Sequence, residues 1–419
     1  MSEAPVQSKA ASVRMLRDLA ASIDPARMRR QRFLKTVEAM ERHDVDVLLT
    51  LTAPNVNYVC GARIPLSESG REQYVPVVSV VVRDKDRPPH LFTPSPQGAP
   101  PDLPAEHVHP PLVPEFAQGV RQMVDSLRRL VGPALDGKVA VDDLTAAMYT
   151  MLPELLPEAT ILNGVRVLQD ARMVKTEDEV RCIRMAQVIN EGAAYDVLEA
   201  LRPGVRESDL TATYLRSIYE LGATGNALDA IWQVTPQMLR DGPHTLNGEL
   251  AFVTVPNDRI IRDGELIMMD TCVEYLGYGS DLGRTWLCAM RPHLSSQQRD
   301  QYQRWREVFE RMREEVRPGR TALDLRRAAL HIGGPKPWLS HHYIGHNIGL
   351  ALAEPPFIGT DLGLDYEESM ELKPGMVFVL EPCIWEDGVG VYRAEELLVV
   401  TENGNEQISD FPHGPWAGE

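Results

Sequence analysis

Residues 267–286, IMMDTCVEYLGYGSDLGRTW, decide the fold. Two aspartates, Asp270 and Asp281, stand eleven positions apart with Gly277 and Gly279 between them. The flanks, LIMMD and GRTWLCAM, read as buried strands, so the segment is a hairpin. A turn near Tyr275-Leu276 sets Asp270 opposite Asp281 with both carboxylates on one side. Residues 377–400, VFVLEPCIWEDGVGVYRAEELLVV, repeat the arrangement. A hairpin centred on Gly388 sets Glu381 opposite Glu395. Buried carboxylates require a partner or a metal. Two hairpins that each deliver a facing acidic pair point to metal.

A fifth donor lies between them. His346 sits in residues 341–350, HHYIGHNIGL, where Gly345 and Gly349 allow close backbone approach. Four carboxylates with one imidazole suit two hard or borderline divalent ions: manganese first, with iron, cobalt or zinc as alternatives.

Outward from this core, 419 residues exceed one ordinary core, so two domains are expected. Alternating strand and helix patterns between residues 25 and 168 indicate a small α/β domain behind a polar arm or loose helix at 1–24. In it, VDVLLTLTAPNVNYVCGA reads as a strand and a turn. Residues 87–114, crowded with proline, read as a surface excursion without helix or central strand. From 169 to 419 the pattern is α+β. Thr176 and Glu179 have capping-box spacing ahead of a long amphipathic helix. Further helices lie in ESDLTATYLRSIYELG, QQRDQYQRWREVFERMREEV and TALDLRRAALHI.

The net charge of -17 argues against a nucleic-acid partner or an anionic membrane surface. No stretch reaches the roughly 20 apolar residues of a spanning helix, and the first residues lack an apolar signal core. Five scattered cysteines without CxxC fit a cytoplasmic protein without a disulfide framework.

The segments DTCVEYLGYGSDLGRTW, GHNIGLALAEPP, LEPCIW and YRAEELLVVTENG together resemble the creatinase/prolidase/methionine-aminopeptidase family of pita-bread metallohydrolases. The first domain is similar to the family's N-terminal creatinase/prolidase-type domain. The resemblance implies an α+β pita-bread catalytic domain and a dinuclear metal-dependent hydrolase of the Xaa-Pro dipeptidase or aminopeptidase P type. Its substrate would be a dipeptide or small amide, attacked by a water shared between the metals. It implies that Asp270 binds one metal, Asp281 and Glu395 bridge both, and His346 and Glu381 bind the second. Glu395 rather than Glu396 takes the bridging place because it lies six residues before Thr401. Glu381 also carries the proton to the leaving amine. Relatives are commonly homodimers, which is the expectation here.

The chain departs from the family in two places. Its peptidases read GHGIGLxxHE where this chain reads GHNIGLALAE, so Ala353 replaces a histidine that helps stabilise the reacting carbonyl. A further histidine is missing near Phe252 and Val253. Candidates to compensate are His342, on the strand face of His346, and His244, a loop histidine that would bind substrate or act as acid or base. Glu354 would hydrogen-bond near the metal ligands. Arg393 would anchor a substrate carboxylate or pair with a ligand acid. Tyr278 and Trp286 read as hairpin packing. The departures leave open a non-peptidase reading: a lyase of the dimethylsulfoniopropionate type, or a creatinase- or ectoine hydrolase-like enzyme acting on a small zwitterion.

Overall fold

The computed structural model describes residues 9–62, 77–238, 240, 258–291, 293–331, 344–359 and 364–413. The chain divides into two compact units: 24–176, and 177–419 together with the segment up to residue 23. The sequence-based boundary at 168/169 falls eight residues earlier. The first helix, α1 (Lys9–Ser22), packs against a helix of the second unit.

The N-terminal unit opens with α2 (Pro25–Arg42), whose Asp24 cap accepts from the Ala26 and Arg27 N–H groups. Strand β1 (Val47–Thr50) is buried along its whole length. The residues expected to turn after it form instead a helix, α3 (Ala53–Cys60), ended by Gly61 in the left-handed region at φ 76. Pro54 is tolerated in a first turn. Asp142 accepts from Leu51 N, Thr52 N, Thr52 Oγ1 and Asn55 Nδ2, and so fixes the start of the helix from 90 residues away. No local pattern carries that information.

Then come β2 (Val78–Val82), β3 (His90–Phe92), β4 (Val108–His109), α4 (Ala117–Val131), β5 (Lys138–Val141), α5 (Ala146–Leu155), β6 (Thr160–Asn163) and α6 (Gly164–Met173). The six strands form one mixed sheet in the order β4-β3-β2-β1-β5-β6. Two strands thus lie within the proline-crowded stretch, and β3 is an interior one. It contains no proline, so its ladder is intact, while β4 closes the sheet edge. Val47, Leu49, Val80, Leu127 and Met148 pack one face, and Val56, Cys60 and Leu91 the other.

The second unit begins with α7 (Glu177–Ala200) and α8 (Glu207–Glu220). Strands β7 (Gly225–Asn226), β8 (Ile231–Thr235), β9 (Glu265–Thr271), β10 (Val273–Tyr275), β11 (Tyr278–Gly279) and β12 (Leu282–Cys288) build two small sheets, β11-β10-β7 and β12-β9-β8. Helices α9 (Ser296–Glu315) and α10 (Ala322–His331) follow, with α9 started by a Ser295–Gln298 capping box. The rest is β13 (Gly345–Asn347), β14 (Glu354–Ile358), α11 (Leu364–Ser369), β15 (Val377–Leu380), β16 (Cys383–Glu386), β17 (Gly390–Arg393), β18 (Glu396–Val400) and β19 (Asn405–Gln407). Strands β14-β13-β15-β18-β19 form one sheet, and β16-β17 a separate ribbon. Trp232, Trp286, Tyr214 and Phe411 anchor the core against α7 and α8. Trp286 stacks on Trp232, and the Tyr278 hydroxyl donates to Glu179, so both aromatics pack as read from the sequence.

Candidate metal centre

The acidic hairpin turns one residue later than its sequence pattern implies. Leu276 and Gly277 both lie at positive φ, 54° and 90°, so they are the two central residues of the turn. The register moves by two. Asp270 faces Gly283, and Leu282 faces Thr271. A two-residue slip keeps each side chain on its face. Asp270 and Asp281 therefore still emerge together, as diagonal rather than direct neighbours, and their carboxylates lie within 4.8 Å of each other and of Cys272 Sγ. The Cys272 thiol donates to Asp281 Oδ1 at 3.3 Å.

Gly283 fills the place opposite Asp270 for a steric reason. A Cβ there would lie 2.6 Å from Glu395 Cδ. Glu395 N also donates to Gly283 O at 3.0 Å, which docks the second acidic segment onto the first. That segment has the expected register. Cys383 faces Arg393 in the β16-β17 ribbon, and Leu380 faces Glu396 in the neighbouring ladder. Glu381 and Glu395 lie between these ladders. Alternation along the chain sends Arg393 and Glu395 one way and Glu396 the other. Glu396 instead bonds Arg284 at 2.6 Å, Gln407 and Ser409.

His346, on β13, places Nε2 3.4 Å from Asp281 Oδ2 and 3.4 Å from Glu381 Oε1. Its Nδ1 lies 3.0 Å from the Asn347 carbonyl, which can only accept. That carbonyl keeps a proton on Nδ1, and Nε2 faces the acids. Burial opposes a charged imidazolium, but the Asp281 and Glu381 carboxylates outweigh it and raise the His346 pKa.

Arg393 sits among the acids. Nη1 lies 3.1 Å from Asp270 Oδ2 and Nη2 lies 2.5 Å from Glu381 Oε2, with Nη2 also in contact with Glu395. Its backbone is held on both sides by the Thr285 hydroxyl, which accepts from Arg393 N and donates to Arg393 O. Of the two roles open to Arg393 on sequence, the geometry supports pairing with acids over anchoring a substrate, since the guanidinium is buried and engaged by three carboxylates.

Among the described residues, one guanidinium and one imidazole stand against four buried acids. Burial pushes Asp270 up to about 7 against the pull of Arg393, and drives Glu395 well above its usual range. Among the described residues, Asp270 Oδ1 and Glu395 Oε2 are buried without a hydrogen-bond partner. Oxygen donors in this state, beside the His346 Nε2, fit divalent cations.

Glu354, on β14, is buried and accepts from Ala351 N at 3.1 Å. A Cβ on Gly349 would lie 2.8 Å from its carboxylate, so Glu354 shapes the loop that follows His346. Ala353 stands in that loop, half-buried. His342 and His244, with Phe252 and Val253, lie outside the described residues. Sequence reasoning missed Gly283, Thr285 and Cys272. A glycine inside a buried strand, two residues after a candidate ligand, is the signal that marks the first.

The profile of metallopeptidase family M24 matches residues 181–402, and that of the creatinase/prolidase N-terminal domain matches 32–174. This chain belongs to metallopeptidase family M24. It is a hydrolase with an N-terminal creatinase-type domain and a C-terminal pita-bread domain. It is 24% identical over 386 residues to an Xaa-Pro dipeptidase of Pyrococcus horikoshii, covering 90% of this chain and 95% of the relative. It is 30% identical over 295 residues to a probable dipeptidase, PepE, of Mycobacterium tuberculosis, covering 68% and 72%. Among solved structures, a prolidase from Thermococcus sibiricus superposes with a TM-score of 0.73 at 20% identity, over 94% of this chain and 99% of that one. No helix among the described residues of this M24 chain is long and apolar enough to cross a membrane.

Proposed function

We propose that Asp270, Asp281, His346, Glu381 and Glu395 hold two divalent ions, and that the chain hydrolyses the amide bond of a dipeptide of the Xaa-Pro type. The observation that supports this most is the convergence, among the described residues, of four buried carboxylates on one guanidinium and one imidazole, with Asp270 Oδ1 and Glu395 Oε2 lacking hydrogen-bond partners there. Carboxylate-rich donors with one imidazole favour manganese, with iron, cobalt or zinc as alternatives.

When bound, such ions lower the pKa of a water to near neutrality and polarise a substrate carbonyl. The chain's own groups do the rest. Glu381, between Arg393 and His346, accepts the proton of the attacking water and passes it to the leaving amine. Arg393 holds Asp270, Glu381 and Glu395 in one arrangement, and its fixed fork keeps their oxygens turned toward a common centre. The Cys272 thiol orients Asp281, and the Asn347 carbonyl orients His346.

Ala353 favours a second reading on the same centre. A methyl group cannot donate a hydrogen bond to a reacting carbonyl, so a small zwitterion that is not a peptide remains the alternative substrate class. Turnover of Xaa-Pro dipeptides against creatine, ectoine and dimethylsulfoniopropionate, by protein supplied with manganese, iron, cobalt or zinc, decides between them. Cleavage of the dipeptides alone supports the first reading. Turnover of a zwitterion with none of the dipeptides overturns it.

A further inference from the structure

Three histidines gather at the edge of the N-terminal sheet. The parallel register of β3 and β4 pairs Leu91 with Val108 and Phe92 with His109. Residues 90 and 92 share one face of β3, and 109 on β4 with 107 just before it continue that face. His90, His107 and His109 therefore come together, and all three are half-buried. His90 Nδ1 and His109 Nε2 lie 3.0 Å apart. The His107 ring stacks on His90 with centroids 4.1 Å apart and planes 8° from parallel.

We propose that His90 and His109, with His107 beside them, bind a borderline divalent transition ion of the copper, nickel or zinc class. Imidazole nitrogens sit about 2.0–2.1 Å from such ions, so two on one ion lie about 3 Å apart. The His90–His109 pair already has that spacing. At present one of the two nitrogens donates its proton to the other. Both hold the ion once the donor ring moves its proton to its opposite nitrogen, so no proton is released. His107 Nδ1 faces the Pro89 carbonyl at 3.1 Å, which fixes the His107 ring where it stacks on His90 and holds that imidazole in place. Among the described residues, Arg87 is the cation that acts on His90, and its guanidinium is held on the Leu130 carbonyl. Burial, reinforced by His107, His109 and Arg87, pushes His90 down to about 4, and burial also lowers His109. Protons thus do not compete with metal at neutral pH. β4 closes the sheet edge, so water can complete the coordination.

The test uses the full chain with Asp281→Ala, which disables the acidic centre, titrated with Cu2+ and followed by electron paramagnetic resonance. The proposal expects one ion held by at least two nitrogens, and at least tenfold weaker binding on adding His90→Gln and His109→Gln. In the unsubstituted chain, Cu2+ should protect both histidines from diethyl pyrocarbonate, read by peptide mass spectrometry. That measurement needs no variant to fold. Unchanged nitrogen coordination in the folded histidine variant, or no protection of His90 and His109, overturns the proposal.

Discussion

The carboxylate of Glu395 lies against the backbone of Gly283, where a Cβ would approach its Cδ to 2.6 Å. This contact joins the two acidic hairpins. Gly283→Ala is expected to push Glu395 out of the centre. Overpacking of this kind costs about 1–3 kcal/mol. The larger expected effect is loss of bound metal, read by elemental analysis of folded protein, with activity falling in proportion. Full metal content in the alanine variant would show that Glu395 has no place among the ligands.

Glu395 and Glu396 are adjacent but enter different networks, so their variants should separate. Glu395→Gln should lower metal content and activity together. Glu396→Gln leaves Arg284 buried without its carboxylate partner, and breaking such a pair costs about 3–5 kcal/mol. Its signature is a lower unfolding midpoint with metal stoichiometry retained. The reverse pattern would exchange the two assignments.

Arg393→Lys tests the guanidinium as an organiser of acids. A lysine keeps the charge but cannot span three carboxylates with a planar fork. The expected outcome is a fall in kcat of at least tenfold with metal still bound, measured on manganese-supplied protein. A variant with undiminished kcat contradicts the role given to Arg393.

Glu191 supplies a pH dependence outside the metal centre. Burial raises its pKa to about 7, although Gln187 and the Asp410 N–H both donate to it. A carboxyl raised in the folded state binds more protons there than when unfolded. Its contribution is fully present below its unfolded pKa and is lost as pH rises through about 7. The loss is on the order of 3 kcal/mol at most. Glu191→Gln should flatten the decline in chemical-denaturation stability between pH 5 and 8. An unchanged slope removes Glu191 as its source.

The site was legible in the sequence because its chemistry is local. Each acidic pair lies within one hairpin, and side-chain alternation survives a two-residue slip, so misplacing the turn at Tyr275-Leu276 still put Asp270 and Asp281 on one face. The turn itself was missed because Leu276 adopts positive φ, which its residue type does not announce. What stayed hidden depends on distant residues. Helix α3 is started by Asp142, the Arg393 backbone is fixed by Thr285, and Arg284 donates to the carbonyls of Phe411 and Pro412 as well as to Glu396. Such contacts leave no periodicity to read.

The central claim is that five side chains form one two-metal centre. Metal content per folded chain, measured for the native sequence and for Asp281→Ala after equilibration with manganese, tests it most directly. Two ions per chain are expected for the first, and loss of metal together with activity for the second. Two ions retained by Asp281→Ala would contradict it.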